Sequence, residues 1–214
     1  TRCTSSAASD VYKRQSQGKG VLLSAISGEK NSKVTIIGCG EVGRASIHKS
    51  IQIGALVTAI DVNESTLEDL KNKYGENIST IISGTDEAVN AIRSADLIIG
   101  AVLLPGRKPP VVVTKEDISA MEQGTVIVDV AIDQGGCVEG VKPNTHSDPF
   151  EIRNGVIVSA IANLPGAVPR TSSIELSTNL QKYVDNLLIE NWFDKYKNCL
   201  LYTSRAHETE LHLV

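Results

Sequence analysis

With 214 residues, 41% of them apolar and 21% charged, the chain has the composition of a globular protein able to bury one generous core or two small ones. A net charge of -4 gives no electrostatic reason to expect nucleic acid or an anionic membrane as partner, and 4% aromatics suit layered α/β packing better than a base-stacking platform. Cys3, Cys39, Cys137 and Cys199 are widely spread with no metal-ligand spacing, so no metal is expected and the thiols read as free. No run of about 18 apolar residues and no charged start before an apolar stretch marks a membrane span or signal peptide. The expectation is a soluble, cytoplasmic protein.

Residues 1–17 are polar and aperiodic, and so are residues 199–214; both are set apart as non-native or disordered tails. Between them, KVTIIG is a first strand, and EVGRASIHKSIQIG a helix whose apolar side carries Val42, Ala45, Ile47 and Ile51, stopped by Gly54. LVTAID is the second strand. NESTLEDLKNKYG opens with capping residues and acids, spaces Leu67 and Leu70 three apart and closes on Gly75, all marks of a helix. ISTIIS is the third strand, followed by a helix in TDEAVNAIRSA with Ala88, Ile92 and Ala95 on one face.

DLIIGAVLLPG runs from a fourth strand into a loop, and TKEDISAM predicts a short helix capped by Thr114. Val126, Ile127, Val128 and Val130 form a fifth strand buried on both faces, as inside a parallel sheet. GVIVSAIAN is a candidate sixth strand, and SSIELSTNLQKYVDNLLIENWFDKY a long helix with Leu176, Leu180, Tyr183, Leu187 and Ile189 on its apolar side. Strands and helices alternating through short connections predict right-handed βαβ crossovers and a doubly wound parallel α/β sheet of Rossmann type. The expected division is a dinucleotide-binding domain over 18–171 and a return helix over 172–198.

GCGEVG, Gly38 to Gly43, is a GxGxxG after a strand and at the opening of a helix. In that setting Gly38 permits the tight turn, Gly40 admits a pyrophosphate and Gly43 lets helix and strand approach, while the amides around Glu41 and Val42 face the phosphates. The pattern by itself also fits a glycine-rich turn that binds nothing. Asp61 ends the second strand about 20 residues past the turn, where a carboxylate can accept both hydroxyls of the adenosine ribose. Its other reading is a cap for the helix at Asn63 to Ser65. A carboxylate there would repel a 2′-phosphate, and Val62 and Asn63 supply no cation for one, so NAD is favoured over NADP. Arg44, His48 and Lys49 read as a solvated face. Asp133 stands beyond the fifth strand, where open α/β sheets place ligands, although a turn acid would look the same.

The stretches DLIIGAVLLPGRKPPVVVTKEDISAMEQGTVIVDVAIDQGGCVEGVKPNTHSDP and ANLPGAVPRTSS resemble the cofactor-binding portion of bacterial alanine dehydrogenases, within the alanine dehydrogenase and transhydrogenase family. The likeness spans about Gly18 to Lys197, and AIDQGG separates it from the transhydrogenase α chain, which is asparagine-rich after this strand. The resemblance implies reversible oxidative deamination of L-alanine to pyruvate and ammonium with NAD, an enzyme of a substrate domain and a dinucleotide domain, and homohexamers.

Asp133 matches the family's catalytic aspartate beside the nicotinamide, with Gln134, Gly135 and Gly136 letting backbone and cofactor approach. Ser83 matches a serine near the adenosine half, Ala101, Val102 and Leu103 the wall beside adenine or ribose, and Asn163 and Leu164 the family's asparagine and methionine beside the nicotinamide. Leucine for methionine departs from the family pattern but conserves volume. Ile132 is expected near the ring.

His146 reads as a local hydrogen-bonder, Cys137 as a buried inert thiol, Arg107 and Lys108 as a solvated loop, and Arg170 as a candidate to position the return helix. The family's substrate-holding arginine and lysine and its acid-base histidine belong to the segment before the connecting helix, ahead of which only Thr1 to Lys19 stand here. The expectation is therefore an NAD-binding half, nearly inactive alone. The competing readings are a stand-alone NAD-binding regulatory module and a transhydrogenase relative.

Overall fold

The computed structural model describes residues 18–23, 31–104 and 106–187. Both tails, and the 188–198 part of the expected return helix, lie outside the described residues. The strands are β1 (Lys33–Ile37), β2 (Leu56–Asp61), β3 (Ile78–Ile82), β4 (Leu97–Gly100), β5 (Val126–Asp129), β6 (Glu151–Arg153) and β7 (Val156–Ser159). The helices are α1 (Glu41–Gln52), α2 (Glu64–Tyr74), α3 (Asp86–Arg93), α4 (Lys115–Ala120) and α5 (Pro169–Leu187).

The seven strands form one sheet in the order β3-β2-β1-β4-β5-β7-β6, parallel throughout except for the β6–β7 pair. Every residue of β4, β5 and β7 is buried, because helices cover both faces. Alternation along the strands sorts the side chains. Val34, Ile36, Leu97, Ile99, Val126 and Val128 pack with Ile47 of α1 and Leu67 and Leu70 of α2. Ile37, Ile98, Ile127 and Val158 pack on the other face with Ala88 and Ile92 of α3 and Ile118 of α4. This is the expected doubly wound α/β class. The chain reverses direction across the sheet between β1 and β4, and a ligand crevice belongs at that switch, beyond the carboxyl ends of the strands.

Three local expectations need correction. On α1, Ile47 and Ile51 pack against the core as expected, but Gly43, Ser46 and Ser50 also face inward and Val42 is 46% exposed. The helix lies so close to the β1 turn that a Cβ on Gly43 would stand 1.9 Å from the Gly38 carbonyl oxygen, and only glycine fits such a contact. The fifth strand stops at Asp129, and Val130 instead begins a 3-10 turn that runs to Gln134 and contains Asp133. The edge strand β6 and its hairpin were not foreseen. Asn154 (φ 50) and Gly155 (φ 80) adopt the paired left-handed geometry of a type I′ turn, for which Asn-Gly is the strongest short signal.

The chain divides between Leu164 and Pro165 into two compact units. In the second, α5 opens at Pro169, where a proline costs no helical hydrogen bond, three residues before the expected start. Leu176, Leu180 and Tyr183 on it are 61%, 46% and 54% exposed. Among the described residues no helix is long and apolar enough to cross a membrane.

Candidate functional site

The three glycines of the β1–α1 turn have separate physical reasons. Gly38 has φ +89, and a Cβ there would stand 2.7 Å from the Ala101 carbonyl oxygen. Gly43 is held against Gly38 by the close approach described above. At Gly40 a Cβ would meet nothing within 4 Å, so the space before the helix is open. Gly40 is also the N-cap of α1 and brings no capping side chain. The first-turn amides of Glu41 and Val42, both exposed, therefore border open space at the positive end of a helix dipole. That combination fits a pyrophosphate.

Asp61 does not cap α2. Asn63 takes that role, its side-chain oxygen accepting from the Ser65 and Thr66 amides. The Asp61 carboxylate accepts from the Cys39 amide at 2.6 Å inside the glycine turn and from the Asn63 amide at 2.9 Å. It is half-buried, and each oxygen keeps a lone pair for a further donor. Ser83 is drawn beside it by a hydrogen bond in which its backbone amide donates to the Asp61 carbonyl at 2.9 Å. Ala101 reaches the glycine turn from β4, donating to Ile37 at 2.8 Å; Ala101 and Val102 are half-buried and Leu103 is 60% exposed. These sequence-predicted residues line one rim, from β3 across β2 and β1 to β4.

A second group forms at the β5 and β7 exits. Asp133 is exposed, and both its carboxylate oxygens accept from the Asn163 amide, at 3.0 and 3.2 Å. Asn163 has φ 53, in the left-handed region that costs a non-glycine residue energy and recurs at functional sites. Asn144 laces that exit: its side-chain oxygen accepts from Ala160 at 2.9 Å and its carbonyl from Ala162 at 3.2 Å. Ile132 and Leu164 are only 4% and 7% exposed, so their side chains serve the packing beneath the rim.

The sequence-based reading overlooked Asp129, which is fully buried. Its carboxylate accepts from the amides of Ala131, Cys137 and Val138 at 3.0, 2.9 and 3.1 Å. Burial pushes its carboxyl above the ordinary range, against the opposing pull of those amides. Burial likewise raises the Cys137 thiol, and with the nearby Asp61 charge it pushes Cys39 up to about 12. Both thiols are buried and favoured in the protonated form, the less nucleophilic one. The Arg44 side chain is 41% exposed, as expected of a solvated face, and its Nε also donates to the Cys39 carbonyl at 3.2 Å and so braces the glycine turn. Gly136 was read as room for a cofactor, but a Cβ there would stand 2.8 Å from the Asp129 carboxylate. Among the described residues no group of His, Cys, Asp and Glu is placed to hold a metal.

The sequence pattern described as "Alanine dehydrogenase/PNT, C-terminal domain" matches residues 4–208. The chain belongs to this family. It is 40% identical to an alanine dehydrogenase of Staphylococcus haemolyticus over 197 residues, covering 92% of this chain and 53% of that protein. It is 48% identical to the Bacillus subtilis alanine dehydrogenase over 161 residues, covering 75% of this chain and 43% of that one. A solved L-alanine dehydrogenase superposes with a TM-score of 0.79 at 38% identity, covering 86% of this chain and 51% of the other. A transhydrogenase from Sinorhizobium meliloti (TM-score 0.69, 23% identity) shares the fold.

The chain thus spans about half the length of the curated alanine dehydrogenases it matches. Membership in the alanine dehydrogenase/PNT family and the Rossmann-type sheet together imply a nicotinamide cofactor. The open Gly40 cradle and the available lone pairs on Asp61 fit its dinucleotide part.

Proposed function

We propose that this chain is the NAD-binding half of an L-alanine dehydrogenase, which deaminates L-alanine oxidatively and reversibly to pyruvate and ammonium. The observation that carries the reading is the direct bond between the two parts of the dinucleotide motif, the Cys39 amide on the Asp61 carboxylate. The relatives' printed names supply the reaction class.

Within this reading the amides near Gly40, Glu41, Val42 and Gly43 hold the pyrophosphate. Asp61 accepts the adenosine ribose hydroxyls and selects NAD over a 2′-phosphorylated cofactor by charge repulsion, and Ser83, Ala101, Val102 and Leu103 border the adenosine half. Ile132 and Leu164 back the nicotinamide end from below, and Asn163 borders it. When bound, NAD would supply the hydride acceptor for the substrate carbon that bears the amine. Asp133 is the catalytic carboxylate: it orients the substrate amine and the attacking water and holds a proton during their exchange, while the Asn163 amide keeps both its oxygens in place. The substrate-holding groups, and the hexameric assembly of a cytoplasmic enzyme, belong to the complete protein.

Calorimetric titration of the purified chain with NADH and NADPH tests this reading. Heat from NADH, with NADPH at least about tenfold weaker, is the expected result. No heat from either ligand, or tighter binding of NADPH, overturns it.

A further inference from the structure

We propose that Asp129 is a positioning residue for the nicotinamide end of the site, its buried carboxylate closing the 129–138 loop and thereby aiming Asp133. The inference rests on the cofactor reading above. Oδ1 of Asp129 accepts from the Ala131 amide at 3.0 Å and the Cys137 thiol at 3.5 Å, and Oδ2 from the amides of Cys137 and Val138 at 2.9 and 3.1 Å. One side chain therefore caps the 3-10 turn carrying Asp133 and also ties down the far end of the loop.

The socket is built around it on both sides. A Cβ on Gly136 would stand 2.8 Å from Oδ2, and one on Gly100 would stand 2.4 Å from the Cys137 sulfur. No ion pair to Asp129 is found among the described residues, so the charge is met by oriented amides, the way a carboxylate at a helix N-cap is met. Chemistry requires the acid itself. Both oxygens face donors, whereas an asparagine offers one acceptor and would turn an NH2 toward an N–H or the thiol. From the other side Asp133 is bonded to Asn163, so its carboxylate is held between a buried clamp below and the β7 exit above.

The test compares NADH with ADP-ribose, which shares the adenosine and pyrophosphate but lacks the nicotinamide. Wild-type chain is expected to bind NADH about tenfold more tightly than ADP-ribose. Asp129→Asn is expected to abolish that difference while leaving ADP-ribose affinity within about twofold, a selectivity that general destabilisation would not produce. A variant that weakens both ligands alike, or neither, overturns the Asp129 proposal alone. Equal wild-type affinity for NADH and ADP-ribose overturns it too. A wild-type chain that binds neither ligand removes the cofactor reading and this proposal with it. Should Asp129→Asn fail to fold by circular dichroism, Cys137→Ala removes one donor from the same carboxylate. It is then expected to weaken NADH about threefold with ADP-ribose unchanged, and unchanged NADH binding overturns the proposal.

Discussion

At the scale of single residues, the same substitution has opposite consequences three positions apart. Gly40→Ala places its methyl in open space. It is expected to keep the fold, with a urea midpoint near wild type, while weakening NADH by about tenfold through intrusion on the phosphates. Gly43→Ala drives a methyl into the Gly38 carbonyl, 1.9 Å away, and is expected to destabilise by about 1 to 3 kcal/mol in the same denaturation experiment. If both variants lost stability equally, Gly40 would have no ligand-specific reason to be glycine. Asp61→Ala removes a charged acceptor from the Cys39 and Asn63 amides. NADH titration is expected to show at least about tenfold weaker binding, with the preference against NADPH reduced. The glycines and Asp61 were legible because their spacing is local. Asp129 was not, since a residue in an apolar strand gains its meaning from amides eight and nine positions away that only folding brings to it.

At the scale of elements, α4 rests on a reciprocal cap: the Thr114 hydroxyl accepts from the Asp117 amide at 3.2 Å, and the Asp117 carboxylate accepts from the Thr114 amide at 3.0 Å. Burial works to raise the Asp117 carboxyl, but the Thr114 hydroxyl and amide and the Arg93 guanidinium at 2.8 Å outweigh it and hold the group below the usual carboxylate range. For an acid with a depressed folded value, the stabilisation is present above the unfolded value of about 3.9 and is lost as pH falls through the folded one. Asp117→Asn is accordingly expected to cost stability at pH 7, with the gap to wild type closing as pH falls below about 4 in urea titrations. A gap independent of pH would mean that the charge contributes nothing. Thr114→Ala is expected to cost about 1 kcal/mol in the same assay. The Thr114 cap and the full extent of β2 were readable from sequence because capping and alternation are local. The face of α1 was read in part: Ile47 and Ile51 pack on the core as expected, but tight helix–strand packing also turns Gly43 and Ser46 inward and leaves Val42 exposed. Strand β6 has three residues, two of them charged, too few for a period, yet Asn154-Gly155 announced its hairpin.

At the scale of the whole molecule, alternation of strands and short helices indicated a doubly wound sheet, and the right-handed crossover rule limits how such a chain can order its strands. The antiparallel edge lay beyond those rules. The sheet gathers Asp61, Gly40, Asp133 and Asn163 along its carboxyl rim, where the proposed dinucleotide site lies. Hydride transfer demands more: donor carbon and acceptor ring must be fixed about 3 to 3.5 Å apart with their orbitals aligned, an arrangement worth roughly 7 to 11 kcal/mol of the barrier. The present 214 residues correspond to about half of the related alanine dehydrogenases. Binding and turnover should therefore separate. With NAD and L-alanine at saturating concentration, the purified chain is expected to show NADH-quenched protein fluorescence or calorimetric binding, but formation of NADH at 340 nm no faster than about a thousandth of a full-length relative's rate. Turnover matching the full-length enzyme would place the substrate-holding groups within these residues and overturn the division of labour between two halves.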